Sequence, residues 1–211
     1  MTRIVTLKAV RDDYADLAPV YDRQWSGFNR AVRNWVMDRF PDRLPGGAQI
    51  LDTGCGTGHM LADIAQAYPA HKLHGIDLSP AMLDQARQKL PYATLTEADL
   101  AHHNLPPHTY DVVLSLNVLH HMNDPARYLA ALVSSCTLGG TIFLCDFAVE
   151  GFSMKLAEKH WRRFNPSHSR AFSLAEMQAM LAGLPVTIID QGLLRPDIFW
   201  RLQIYQLRRE A

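Results

Sequence analysis

Leu51-Asp52-Thr53-Gly54-Cys55-Gly56-Thr57-Gly58 is the stretch on which the reading of this 211-residue chain turns. A short apolar run precedes it and a helical pattern follows, so it reads as strand, tight loop and helix start. Glycines at positions 54, 56 and 58 let the loop turn sharply. They also bring bare backbone N–H groups close to a ligand, at the positive end of the following helix. This is the pattern of a nucleotide-like cofactor site. The dinucleotide fingerprint asks for a further glycine at position 59, where His59 stands instead.

Three acids narrow the choice of cofactor. Asp52 ends the first apolar run, two residues before the first glycine. A carboxylate there repels a pyrophosphate but suits a ligand carrying ammonium and sulfonium charge. Gly75-Ile76-Asp77-Leu78 closes the next run with an acid placed to take both ribose hydroxyls. Ala98-Asp99-Leu100 closes the run after that with an acid placed to take the adenine amino group. A nicotinamide cofactor uses the ribose acid and has no general need of the other two.

This ordered set resembles the class I S-adenosylmethionine-dependent methyltransferases, closely over about residues 45–147 and in outline beyond. Leu138-Gly139-Gly140, followed by apolar residues and an acid, matches the family as well. The resemblance implies an α/β fold: a Rossmann-like, doubly wound seven-stranded sheet, mostly parallel with an antiparallel last strand, and helices on both faces. It implies S-adenosylmethionine as cofactor and S-adenosylhomocysteine as product. The cofactor-binding residues expected are Tyr14, Tyr21, Asp52, Gly54, Cys55, Gly56, Gly58, Asp77, Leu78, Met82, Asp99, Leu100 and Asn117.

Composition sets the outer bounds. The length fits one domain with a large buried core. No apolar run approaches the roughly 20 residues of a membrane-spanning helix. Met1-Thr2-Arg3-Ile4-Val5-Thr6 lacks a signal-peptide core, and Cys55, Cys136 and Cys145 are too scattered for a disulfide framework or a zinc site. The expectation is a reducing, cytoplasmic setting with no metal. The formal net charge is zero, which argues against a general nucleic-acid binder.

In chain order, residues 1–44 read as a helical lid. Tyr14, Leu17, Ala18 and Tyr21 recur at helical spacing around Pro19, and Phe28, Val32, Trp35 and Phe40 share a face beside Arg30, Arg33 and Arg39. The arginines read as a solvated basic face. Tyr14 and Tyr21 offer a hydroxyl to the methionine carboxylate or a ring to the sulfonium; amphipathic packing explains them equally well. Residues 45–150 form the cofactor-binding core, with strands expected at 49–53, 72–77, 92–97, 110–116 and 141–147. Ser79-Pro80 and Asn123-Asp124-Pro125 are helix starts. Residues 151–172 form an insertion that, in the family, roofs the acceptor pocket. Residues 173–211 return to the core with a capping box at Ser173 to Glu176 and strands at 186–190 and 198–207.

The catalytic candidates are His120 and His121, just past the central strand. Ligands bind beyond the carboxyl ends of strands in such sheets, and imidazole titrates near neutral pH, as a general base must. Only one of the two is expected to face the pocket, on the premise that they are adjacent in a helix. Asp146 or Glu150 is the next base to consider. Ser115-Leu116-Asn117-Val118 lacks the Pro-Pro-aromatic signature of nucleic-acid amino-methyltransferases. The reading is a methyltransferase acting on a small molecule. The alternatives are RNA or protein methylation, through Arg162, Arg163 and Arg170, and a non-catalytic cofactor-binding partner subunit. The sequence leaves the acceptor atom and the oligomeric state open.

Overall fold

The computed structural model describes residues 4–211. Met1, Thr2 and Arg3, half of the stretch read for a signal peptide, lie outside the described residues. Eight helices and seven strands follow in the order α1 (Leu7–Leu17), α2 (Tyr21–Gln24), α3 (Ser26–Met37), β1 (Gln49–Thr53), α4 (His59–Ala67), β2 (Lys72–Asp77), α5 (Pro80–Lys89), β3 (Thr94–Glu97), β4 (Tyr110–Leu116), α6 (Pro125–Ser135), β5 (Cys136–Phe147), α7 (Phe152–Phe164), α8 (Leu174–Ala182), β6 (Val186–Leu194) and β7 (Leu202–Arg209). A short 3-10 turn, Leu119–His121, sits between β4 and α6.

The sheet order is β3-β2-β1-β4-β5-β7-β6. Strands β1 to β5 pair in parallel, and β7 runs antiparallel to both neighbours. The strand order reverses between β1 and β4, and ligands of such sheets bind beyond the strand ends at that point. Two apolar clusters clamp the sheet. Ile50, Val112, Leu114 and Phe143 face α3 and α4, while Leu51, Val113, Ile142 and Leu144 face α6 and α8. Alternate residues of one strand thus serve opposite layers, as the pleat requires.

The local signals act as their chemistry dictates. Ser79 and Asp124 accept the N–H of Met82 and Arg127 at 3.4 and 3.1 Å, with a proline opening each helix. Ser173 and Glu176 form both halves of the capping box, and Gly183 ends α8. The differences lie at element ends. Tyr92 is exposed and β3 begins at Thr94, because only the four residues from Thr94 pair with β2. Strand β5 starts at Cys136, since Gly139 at φ +75° lets the chain kink within the strand where a turn was expected. Strand β6 runs on to Leu194 because it pairs with β7 along its length. The lead-in is two helices, α1 and α2, broken where Pro19 follows Ala18.

Candidate active site

Two cavities open beyond the carboxyl ends of β1, β2 and β4. The first, of about 110 Å³, is lined by Gly54, Gly56, Asp77, Leu78, Met82, Asp99, Leu100 and Val118, with Tyr14 of α1 above. A smaller extension runs under α3 along Asn29, Arg33, Asp52, Cys55 and Asn117. The second cavity, of about 120 Å³, lies between α1 and α7. Tyr14, Tyr21, Asn117 and His121 line both the first and the second.

The glycine loop is shaped by sterics as well as by freedom of φ. A Cβ on Gly54 would lie 2.3 Å from Val118 Cγ2, at φ +70°. Gly58, at φ +79°, caps α4 and packs against Ala86 and Leu90, lining neither cavity.

Asp77 accepts the N–H of Gly56 and of Ser79, each at 2.8 Å. Burial raises its pKa, and those backbone bonds oppose the rise. Asp52 is buried and has no hydrogen-bond partner among the described residues. Burial first, then the neighbouring Asp77 charge, pushes its pKa to about 8. Beside it, Asn117 sits at φ +61° with its N–H held by the Cys145 carbonyl at 2.7 Å, and its Oδ1 is buried without a partner. A buried acid and an orphaned acceptor thus line one extension, an arrangement that suits a donor such as an ammonium. Asp99 lines the first cavity, but its carboxylate also bonds the Ala101 N–H at 3.0 Å and the His102 ring.

Both histidines line the second cavity, contrary to the expectation that only one would. They stand on a 3-10 turn, not an α-helix, with ring centroids 4.0 Å apart. His120 Nδ1 lies 2.8 Å from Asp146 Oδ1. A carboxylate only accepts, so Nδ1 carries the proton and Nε2 is the nitrogen left to the cavity. His121 Nδ1 donates to the Ser167 carbonyl, and its Nε2 accepts from the Tyr14 hydroxyl at 2.9 Å. Burial, reinforced by the nearby His120, holds the His121 pKa well below the usual 6.5. Burial likewise keeps the Tyr14 hydroxyl protonated. The lone pair of His121 is thus occupied and that of His120 is open.

Several site residues escaped sequence reading. His168 lines the second cavity with its Nε2 bonded to Glu158 at 2.7 Å. Trp25, Phe28, Phe147 and Trp161 supply its aromatic wall. Arg33, read as part of a solvated face, is only 23% exposed and pairs with Asp63 at the edge of the cofactor extension. Asp22 joins α2 to the glycine loop through Thr57 Oγ1 at 2.6 Å and Lys89 Nζ at 3.0 Å. No motif in the linear chain pairs these groups, which meet through the fold. No group of three or more His, Cys, Asp or Glu that could hold a metal ion occurs among the described residues.

The reversal at β1/β4, the acids at successive strand ends and the antiparallel β7 define the methyltransferase version of the Rossmann-like fold. A family model described as a methyltransferase domain matches residues 50–140. The trans-aconitate 2-methyltransferase of Escherichia coli O157:H7 is 31% identical over 158 residues, 74% of this chain and 60% of that protein. The enzyme of that name from Rhodopseudomonas palustris is 35% identical over 94 residues, 44% of this chain and 36% of that protein. The chain thus matches from about a third to three fifths of the length of these relatives. In fold, it is similar to the structure of magnesium protoporphyrin IX methyltransferase from Synechocystis with bound S-adenosylhomocysteine (TM-score 0.75, 22% identity, 97% of this chain and 99% of that chain). A methyltransferase solved with the Haloferax volcanii Trm112 activator gives a TM-score of 0.80 at 17% identity, over 96% of this chain and 98% of that one. The chain thus carries a stretch similar to a methyltransferase domain, and its fold is that of the class I S-adenosylmethionine-dependent methyltransferases. No helix among the described residues is long and apolar enough to cross a membrane.

Proposed function

We propose that this protein transfers the methyl group of S-adenosylmethionine to a small-molecule acceptor held in the second cavity. The observation that carries the proposal is the junction of the two cavities at Tyr14, Tyr21, Asn117 and His121, with the open nitrogen of His120 on the acceptor side. S-adenosylmethionine supplies an electrophilic methyl on a sulfonium. The protein supplies alignment, a dry pocket and a free lone pair on the acceptor.

Each wall of the first cavity has a task. Asp77 takes the ribose hydroxyls with the lone pairs that Gly56 and Ser79 leave free. Leu78, Met82 and Leu100 cover the adenine, and Asp99 faces its edge. Asp52 and the Asn117 Oδ1 take the ammonium, and Arg33 faces the carboxylate. Residues before β1 serve as the lid. Val5 and Asn123 exchange two hydrogen bonds of 2.9 and 2.8 Å, Arg11 pairs with Glu97, and Asp13 lies 2.6 Å from Ser167 Oγ.

On the acceptor side, His120 Nε2 is the general base, with Asp146 orienting the ring and balancing the imidazolium that forms. His121 acts as a positioning residue, holding Tyr14 across the junction. Trans-aconitate, the acceptor in the relatives' name, is a tricarboxylate, and among the described residues the second cavity offers it neither lysine nor arginine. The test is incubation with methyl-tritiated S-adenosylmethionine and a cell extract separated into small-molecule, RNA and protein fractions. Label is expected in the small-molecule fraction. Label confined to RNA or protein, or absent altogether, contradicts the proposal.

A further inference from the structure

The second cavity has a definite chemistry that the donor site does not fix. Trp25, Phe28, Phe147 and Trp161 form a chain of ring contacts, with centroids 5.6, 5.8 and 4.9 Å apart in that order. Trp200 backs the wall, stacked on Trp161 at 5.4 Å and 8°. The opposite wall is polar, from His120, His121, His168, Asn165 and Ser167, with Asp13 at the rim. Among the described residues no lysine or arginine lines it, and His120 and His168 each have a carboxylate partner that cancels any charge they gain. A buried carboxylate there would meet no cation, face Asp13 and lose its hydration, a cost of several kcal/mol per ion. The volume, about 120 Å³, is comparable with the roughly 150 Å³ of a cavity that takes benzene.

Resting on the methyl-transfer reading above, we propose that the acceptor is an uncharged single-ring aromatic hydroxyl compound, a phenol, and that this cavity rejects polycarboxylates. The ring lies against the Trp161 and Phe147 wall, and the hydroxyl points to His120 Nε2. The phenol O–H bond breaks with its proton passing to His120, the oxygen pair forms the new O–CH3 bond, and the pair of the broken C–S bond goes to sulfur. The products are a methyl aryl ether and the neutral thioether S-adenosylhomocysteine. An unpaired aliphatic alcohol is too weak an acid to be served as well by imidazole.

The experiment is calorimetric titration of the protein, first with S-adenosylhomocysteine alone. The saturated complex is then titrated with 4-methylphenol, butylamine or trans-aconitate. The phenol is expected to saturate at one per chain, with no saturation by the other two over the same range. Trp161→Ala is expected to weaken the phenol about 2- to 10-fold, the worth of an aromatic pair, and to leave S-adenosylhomocysteine affinity unchanged. With S-adenosylmethionine in place, mass spectrometry is expected to find 4-methylanisole. Saturation by trans-aconitate or the amine in place of the phenol, or no saturation by the phenol, overturns the acceptor class while leaving methyl transfer standing. Failure in the first titration overturns the donor reading instead.

Discussion

Asp146 grips His120 twice: its Oδ1 lies 2.8 Å from the ring Nδ1, and its Oδ2 accepts the backbone N–H of His120 at 3.2 Å. The first bond fixes the tautomer and the second fixes where the ring starts from. A third, from the Phe147 N–H at 2.7 Å, ties the carboxylate to the end of β5. Ring, acid and the Phe147 end of the second cavity's aromatic wall are therefore tied together.

If His120 is the base, His120→Ala lowers the single-turnover rate of methyl transfer by about 10²- to 10⁴-fold. S-adenosylhomocysteine affinity hardly moves, because the loss is felt in the transition state. Asp146→Asn lowers the rate too, since an amide can donate to Nδ1 and turn the lone pair away from the cavity. His121→Asn is milder and acts through Tyr14. Equal losses for both histidine variants, or none, place the base elsewhere.

Asp52 makes donor binding pH-dependent. In the free protein its pKa is pushed to about 8 by burial and by Asp77, against 3.8 in an unfolded chain. The folded chain holds that proton more tightly, so the contribution of Asp52 to stability is full below about pH 4. It declines as pH rises toward about 8 and is constant beyond. Pairing with an ammonium requires the ionised acid. S-adenosylmethionine affinity is expected to rise between about pH 6 and 8, by up to about tenfold per unit, and then level off. Asp52→Asn removes the slope. A flat profile in the wild type shows that Asp52 is already ionised.

Asp77 holds the loop besides its proposed role at the ribose, which alters the choice of variant. Removing its carboxylate with Ala strands the Gly56 N–H, so a stability loss would accompany any loss of binding. Asp77→Asn retains one acceptor oxygen. It keeps one of the two backbone bonds and turns its NH2 toward the other N–H, so it is expected to lower the unfolding midpoint less than Ala while weakening S-adenosylhomocysteine by about 1.5–3 kcal/mol, roughly 10- to 150-fold. A change below threefold, read by calorimetry, removes Asp77 from the ribose site.

Gly54→Ala tests the loop's shape. Its Cβ would lie 2.3 Å from Val118 Cγ2 in a left-handed backbone, so Val118 or the loop must move. The expected cost is about 1–3 kcal/mol in urea unfolding, together with weakened donor binding, since both residues line the first cavity. Unchanged stability contradicts the packing argument.

The acids proposed to hold the cofactor were legible in the sequence because they stand at strand ends. Asp52, Asp77 and Asp99 each close an apolar run, and a parallel sheet brings such ends to one edge. The acceptor half was only partly legible. His120 and His121 could be found from β4, but the partner that separates their roles, Asp146, lies 26 residues from His120. Trp25, Trp161 and His168 come from three separate segments, and only Trp161 lies in a helix, where spacing alone reads it as packing. The packing of Gly58 was hidden for the opposite reason: its place in the motif draws attention to a ligand, while its Cβ direction points at α5.

The central claim is the identity of the donor. Calorimetric titration of the protein with S-adenosylmethionine, S-adenosylhomocysteine and NAD tests it most directly. The account predicts saturable one-to-one binding of the first two at micromolar levels, about 8 kcal/mol, and no binding of NAD. Binding of NAD without binding of S-adenosylmethionine would contradict it.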